Sequence, residues 1–382
     1  MAETNALLKR HTGNRIEGSN PSVSASSPSA PPVSSRPAQA CWLLGFCLQL
    51  WGMDNLAHSL AGAALGEAGL KHKTGLGMAT LIIAANLPDI DVLGLLIGEN
   101  LAWRRGWTHG PLAMLVLPPL LVGAMILFDR WQARRGTRPA GRLPIHVGWL
   151  LGLAYIGWLS HPALDFLNTY GIRLLMPLSD RWFYGDTLFI IDIWLWLALG
   201  LGVLWSRRRQ KQTRPGTHQP ARISLALSIA YIGAMGASSL IAEDMTRVTA
   251  EAAGRGPVTE VVASPVPLNP FRRDVVFVAN DSYGLGVVNW LPAPHVTLEK
   301  TAIPTQMDNP LIAKARASKE VADFLYWSRL PYARFEETAK GKRVVLTDAR
   351  YSIGNVRNPF LVSVTLPDGV AAHEGKGAPK RP

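Results

Sequence analysis

Cysteine is nearly absent: Cys41 and Cys47 are the only two among 382 residues. That excludes a disulfide framework and a cysteine-built zinc site. Charge is scarce as well. Asp, Glu, Lys and Arg together make up 17% of the chain, against about 25% in soluble globular chains. Acidic residues are the scarcer sign, 27 against 39 basic ones, for a net charge of +12. Residues 243–382 lack a nucleophile elbow, a P-loop and a dinucleotide fingerprint. What is present is apolar: the mean hydropathy is +0.12, and there are thirteen tryptophans. Much of the basic excess sits in two short loops between apolar runs. That pattern reads as membrane topology, so no nucleic acid is expected as a partner.

Along the chain, residues 1–40 are rich in Ser, Pro and Ala and carry no apolar period, as disordered segments do. Residues 41–51 are apolar over only half a span. Met53 then opens a new pattern, so residues 1–52 read as a disordered or over-called extension. Residues 54–70 form an Ala/Gly-rich helix able to pack closely. Residues 74–98 are apolar apart from Asp89 and Asp91, and Pro88 divides them, which predicts a broken helix with the acids at the break. Four further runs, 111–128, 145–166, 188–205 and 223–242, each approach the length that crosses a roughly 30 Å hydrocarbon core.

The loops at 129–144 and 206–222 carry five and six basic residues and are expected in the cytoplasm. The loop at 167–187, with only Arg173 and Arg181, is expected outside. His109, His161, Asp186 and Asp192 then gather at the outer boundary, with Arg104 and Arg105 as exceptions to the charge rule. Residues 243–382 change character. Short β-branched runs at 258–262, 274–278, 286–290 and 343–347 predict strands, and 319–327 predicts a helix. The expected fold is mostly α: a polytopic helical membrane domain over 53–242, then a small extracytoplasmic soluble α+β domain.

Five groups of residues carry chemistry. His58 lies on the first helix, with Glu67 beyond it. Asp89 and Asp91 flank Ile90 at the break. Arg105 precedes His109 in a Gly-flanked turn. His161 and Asp165 are four apart, on one face of a helix. Asp186 and Asp192 add further acids. Imidazoles mixed with carboxylates suit a first-row divalent metal better than magnesium or calcium. Zinc is the leading choice, with manganese or iron as alternatives. Taken singly, His58 reads as a packing residue, Asp89 as a helix cap and His161 as a first-turn residue before Pro162. Asp192, inside an apolar run, reads as a supporting rather than a ligating acid. His72, His146, His218, His295 and His373 have ordinary loop or surface readings.

Residues 53–205 resemble the YdjM-type membrane-bound, predicted metal-dependent hydrolases. The likeness rests on His58, Leu87-Pro-Asp-Ile-Asp91, Arg105-Gly-Trp-Thr-His109, Leu159-Ser-His-Pro-Ala-Leu-Asp165 and the run from Gly171 to Pro177. Val92 stands where many members carry a His, and Gly110 where many carry a Ser. A more distant likeness to zinc-dependent phospholipase C implies phosphoester hydrolysis. The residues expected to form the metal set are His58, Asp89, Asp91, His109, His161 and Asp165, with Arg105, placed to neutralise a phosphate, and Asp186 serving catalysis. The expected location is the bacterial inner membrane and the expected substrate an ester or phosphoester; membrane lipid is expected as a partner from location alone. The rivals are an ion transporter using the same cluster and a scaffold holding a structural metal.

Overall fold

Three close-packed helices surround the break at Asn86. The computed structural model describes residues 54–97, 103–353 and 360–367; the readings made for 1–52 lie outside them. Helix α1 (Asn55–Glu67) starts where the Asp54 side chain accepts from the Ala57 amide at 2.9 Å, an N-cap that satisfies one free donor. Helix α2 (Gly77–Ala84) ends two residues before a 3-10 segment, Leu87–Ile97. The two pieces bend by 42°, because Pro88 disfavours helical geometry in the residue before it. The broken helix is thus as the sequence predicts.

Helix α3 (Pro111–Arg134) begins with a proline in its first turn, where no amide donor is needed. Helix α4 (Val147–Phe166), α5 (Ile193–Lys211) and the long α6 (Gln219–Ala252) follow. Asp192 caps α5, accepting from the Leu195 amide at 2.9 Å and from the Tyr231 hydroxyl at 3.0 Å. That is the reason an acid is tolerated there.

Small residues set the spacing. A Cβ on Gly62 of α1 would stand 2.8 Å from the Leu81 carbonyl, and one on Gly157 of α4 would stand 2.7 Å from that same oxygen. Both helices therefore clasp α2 backbone to backbone, as small-residue faces allow. Ala57, Ala61 and Ala64 of α1 pack in turn on Leu195, Leu199 and Val203 of α5.

Of the four runs read as spans, α3 and α6 are long and apolar enough to cross a membrane, or three segments if the bent pair counts as one. The other two form helices as expected, but α5 ends in Arg207–Arg209 and α4 is diluted by Gly, Trp, His161 and Asp165. These helices nevertheless carry exposed apolar side chains: Leu127, Leu204, Ile229 and Leu240 are each at least 65% exposed.

Helix α6 runs on past residue 242 and leads into the strand-rich part. Strands β1 (Glu260–Val266), β2 (Asn269–Ala279), β3 (Ser282–Asn289) and β4 (His295–Leu298) form an antiparallel sheet, with the short β5 (Ile303–Pro304) also on β3. Helices α7 (Pro310–Ala315) and α8 (Lys319–Trp327) come next. A second antiparallel sheet is ordered β6 (Pro331–Thr338), β7 (Gly341–Asp348), β8 (Leu361–Leu366). The α+β reading is correct, and α8 has the span expected. Val321, Phe324 and Trp327 of α8 bury against Val344 and Leu346 of β7. Asp348 and Arg350 are both buried and paired at 2.8 Å. Burial raises the Asp348 carboxyl, but Arg350 beside it outweighs that and holds it below the usual carboxylate range.

Gly157→Val should force α4 away from α2 and cost about 1–3 kcal/mol, the usual penalty of overpacking. Thermal unfolding in detergent, followed by tryptophan fluorescence, measures it. An unchanged melting temperature would mean that the two backbones are not in contact.

Candidate metal centre

The break in α2 builds one wall of the site. Ala85 caps that helix, and its carbonyl, like others at a helix C-terminus, has no partner within the helix. His161 of α4 meets it with Nδ1 at 2.7 Å. A carbonyl can only accept, so the proton sits on Nδ1 and Nε2 presents its lone pair inward. His109 is held by a turn in which its amide donates to the Gly106 carbonyl at 2.9 Å. Its Nδ1 lies 3.0 Å from the Thr108 hydroxyl and 3.7 Å from Asp91 Oδ2. The His109 and His161 Nε2 atoms face each other at 3.2 Å.

Carboxylates complete the group. Asp165 Oδ2 lies 3.4 Å from His109 Nε2 and 3.5 Å from His161 Nε2. Asp89 Oδ1 lies 3.5 Å from His161 Nε2. Donor atoms of Asp89, His109, His161 and Asp165 all fall within 4.8 Å of one another, and all four residues are buried. Ligands about 2.1 Å from a tetrahedral ion stand about 3.4 Å apart. The four short separations, 3.2 to 3.5 Å, match that edge. Asp165 Oδ2 and Asp89 Oδ2 are buried with no hydrogen-bond partner. The donor set, the spacing and these unsatisfied oxygens fit a bound divalent cation.

The two other residues expected as ligands lie just outside this group. His58 stacks on His161, with ring centroids 3.7 Å apart, and its Nε2 is 3.6 Å from Asp165 Oδ1. Asp91 stands behind His109 and accepts the Arg105 backbone amide at 2.7 Å. A carboxylate behind a ligating imidazole orients the ring.

Arg105 is where the sequence places it. Its guanidinium reaches Asp165 Oδ1 at 3.0 Å, Asn168 Oδ1 at 2.8 Å and the Gly171 carbonyl at 3.3 Å, and lies over the Tyr170 ring at 4.8 Å. Asp186 is not at the cluster. Its carboxylate accepts from Arg329 at 2.8 Å, in the strand-rich part, and burial raises it above the ordinary carboxyl range despite that partner. The expected catalytic role of Asp186 is corrected accordingly: the loop turns its side chain towards Arg329 rather than towards the histidines.

Two contributors escaped the sequence reading. One is the Ala85 carbonyl, which leaves no mark in residue type. The other is Asn168, two residues past the end of α4, whose place in a loop gave no periodic signal. Gly110, the departure from the usual Ser, also has a physical account: a Cβ there would stand 2.0 Å from the Met176 carbonyl.

Apolar helices around a buried His/Asp donor set define the class: a membrane-type helical protein with a candidate metal centre. Residues 53–242 match the family described as YdjM inner membrane protein, and this stretch of the chain belongs to that family. The match reaches beyond the 53–205 of the motif resemblance, to the end of the apolar run in α6. No curated protein and no solved structure matches the chain.

Arg105→Ala leaves Asp165 buried without its cation and should cost about 3–5 kcal/mol, as removing one partner of a buried ion pair does. Arg105→Lys should recover only part, since an ammonium cannot fork to Asp165 and Asn168 together. Thermal melts of the three proteins test this. Equal melting temperatures would remove Arg105 from the framework of the site.

Proposed function

We propose that this protein is a multi-pass inner-membrane, metal-dependent hydrolase acting on a phosphoester or another ester, with its site near the non-cytoplasmic boundary and the strand-rich part outside. The convergence of two imidazole Nε2 atoms and two carboxylate oxygens, with four separations of 3.2 to 3.5 Å, carries the reading. A first-row divalent ion, zinc before manganese or iron, would be held by Asp89, His109, His161 and Asp165. Such an ion, when bound, supplies Lewis-acid activation of water and of an ester oxygen.

The chain's own residues do the remaining work. Ala85 and Asp91 orient the imidazoles. Arg105 holds Asp165 in place and brings a cation to the edge of the site, where an anionic ester would be neutralised. A cavity of about 20 Å³ lined by Asp54, His58, Asp165, Asn168 and Asp192 adjoins the cluster. That is room for one water among polar groups. Membrane lipid is the nearest source of such esters, by location alone.

A second reading is favoured by one observation. The donors are almost fully buried and the adjoining cavity is too small for an ester, which also suits a closed structural metal.

Elemental analysis of detergent-purified protein should find zinc, manganese or iron at about one or two per chain, lost in both His161→Ala and Asp89→Ala. Wild type that stays metal-free after reconstitution would end the hydrolase reading. Asp91→Asn should retain the site with about 10–100-fold weaker metal affinity, the usual effect of losing an outer-shell partner. Metal that raises the melting temperature while no phosphoester or phospholipid is turned over would favour the structural reading.

A further inference from the structure

The strand-rich part does not sit clear of the apolar helices; one end of its larger sheet descends beside them. Strand β2 runs alongside α6, and the contacts step down in register. Phe277 packs with Ala250, and Val275 with Ala242. Arg273 reaches lower, donating to the Met235 carbonyl at 2.5 Å and to Ser239 Oγ at 2.8 Å. Below it, Leu268, Asn269 and Pro270 line a small cavity with Tyr231 and Met235. The tip between β1 and β2 therefore lies at the level of Tyr231 to Met235. That is two to three turns inside the apolar run 223–242 of a helix long and apolar enough to span a membrane.

Helix α5 fixes the same level independently. Trp194 Nε1, in its first turn, donates to the Leu268 carbonyl at 3.2 Å. From Ile193 to the first arginine, Arg207, α5 offers about 21 Å of apolar helix at 1.5 Å per residue. This is short of the roughly 30 Å hydrocarbon core. If Arg207 marks the inner edge, the bilayer extends above Ile193, and the tip lies within it.

The tip has the surface such a position needs. Leu268, Phe271 and Leu291 are 63%, 53% and 59% exposed. They share one end of the sheet, since the Trp290 amide donates to the Phe271 carbonyl at 2.9 Å. Leu268 also holds φ at +64°, a left-handed conformation that glycine or asparagine adopts with less strain. A bulky apolar side chain kept there, facing outward, needs a partner. Trp194, 48% exposed beside it, is the residue type enriched at membrane interfaces.

We infer that the β1–β2 tip and Leu291 insert into the outer leaflet beside α5 and α6, so that the strand-rich part is anchored in lipid as well as through the chain. The occupant of this surface is the acyl-chain and headgroup boundary of the bilayer, continuous with the lipid-facing side of the two helices. The inference rests on α6 being a membrane span, as in the proposed function, but not on the metal or the hydrolysis.

The test uses the full chain with Cys41 and Cys47 replaced by serine, in nanodiscs. Single cysteines at Leu268→Cys, Leu291→Cys, Ile229→Cys and Lys340→Cys are labelled with an environment-sensitive fluorophore and challenged with nitroxide lipids. Ile229 is 70% exposed within the apolar run of α6, and Lys340 is exposed in the β6–β7 turn. The expected result is a blue-shifted emission and at least twofold quenching at 268 and 291, comparable with 229, and little at 340. Quenching at 229 with 268 and 291 behaving like 340 would overturn the insertion alone. No quenching at 229 would overturn the span, and the insertion with it.

Discussion

Acceptor atoms brought together without water repel one another, and that constraint organises the helical half of this protein. Three carboxylates, Asp89, Asp91 and Asp165, and two imidazole lone pairs occupy a space with almost no solvent contact. Uncompensated charge there would cost several kcal/mol per ion. Arg105 offsets part of it through Asp165. One buried oxygen on each of these three carboxylates still lacks a hydrogen-bond donor. Such a group is costly to keep unless something positive completes it, and this donor set is one that could hold a metal ion.

Holding that group in register demands short helix separations. The donors come from the break after α2, from the turn before α3 and from the end of α4. A few tenths of an ångström would spoil the 3.2–3.5 Å spacing. Gly62 and Gly157, pressed on one carbonyl of α2 from two sides, remove the slack that larger side chains would introduce. The Ala-rich face of α1 is therefore part of the site's precision, although it carries only one residue of the cluster's neighbourhood. The same logic accounts for the stacking of His58: α1 is drawn so close that its imidazole lies nearly flat on His161.

Much of this was legible in the sequence because ionisable residues are conspicuous against apolar helices. His161 and Asp165 declared their shared face by spacing, and Pro88 declared the break. The division of labour within the set was not legible. Asp89 and Asp91 are equivalent as letters, yet the bend turns Asp89 to His161 and Asp91 to the Arg105 amide. Asp186 shows the limit from the other side. It was grouped with the site because topology put it at the same boundary. The loop carrying it is instead pulled to Arg329 and Arg273, which come from residues more than eighty positions later. Long-range pairing of that kind leaves no local pattern. The strands and α8 were visible through β-branched runs and helical spacing, whereas the order of the two sheets depends on contacts that no window of sequence contains.

Arginines in the loops that the charge rule expects outside are in apparent conflict with that rule. Arg105, Arg173 and Arg273 are buried, not solvated, and each spends its donors on fixed acceptors. Arg173 donates to the Arg104 carbonyl at 3.0 Å and to the Tyr326 hydroxyl at 2.9 Å. Arg273 donates to the carbonyls of Asp186 and Thr187 as well as that of Met235. Arg350 donates to the Thr169 carbonyl at 2.6 Å. Residues 104–105, 169–173 and 186–187 are thus gripped by guanidinium groups from both halves of the chain. A guanidinium offers five donors in a rigid fork, which suits it to loops whose carbonyls have no strand or helix to join. These arginines act as structural ligands of the loops around the candidate metal centre. The strand-rich part, through Arg273, Arg329 and Arg350, is in this respect a component of the site's framework, even though it supplies none of the four donors.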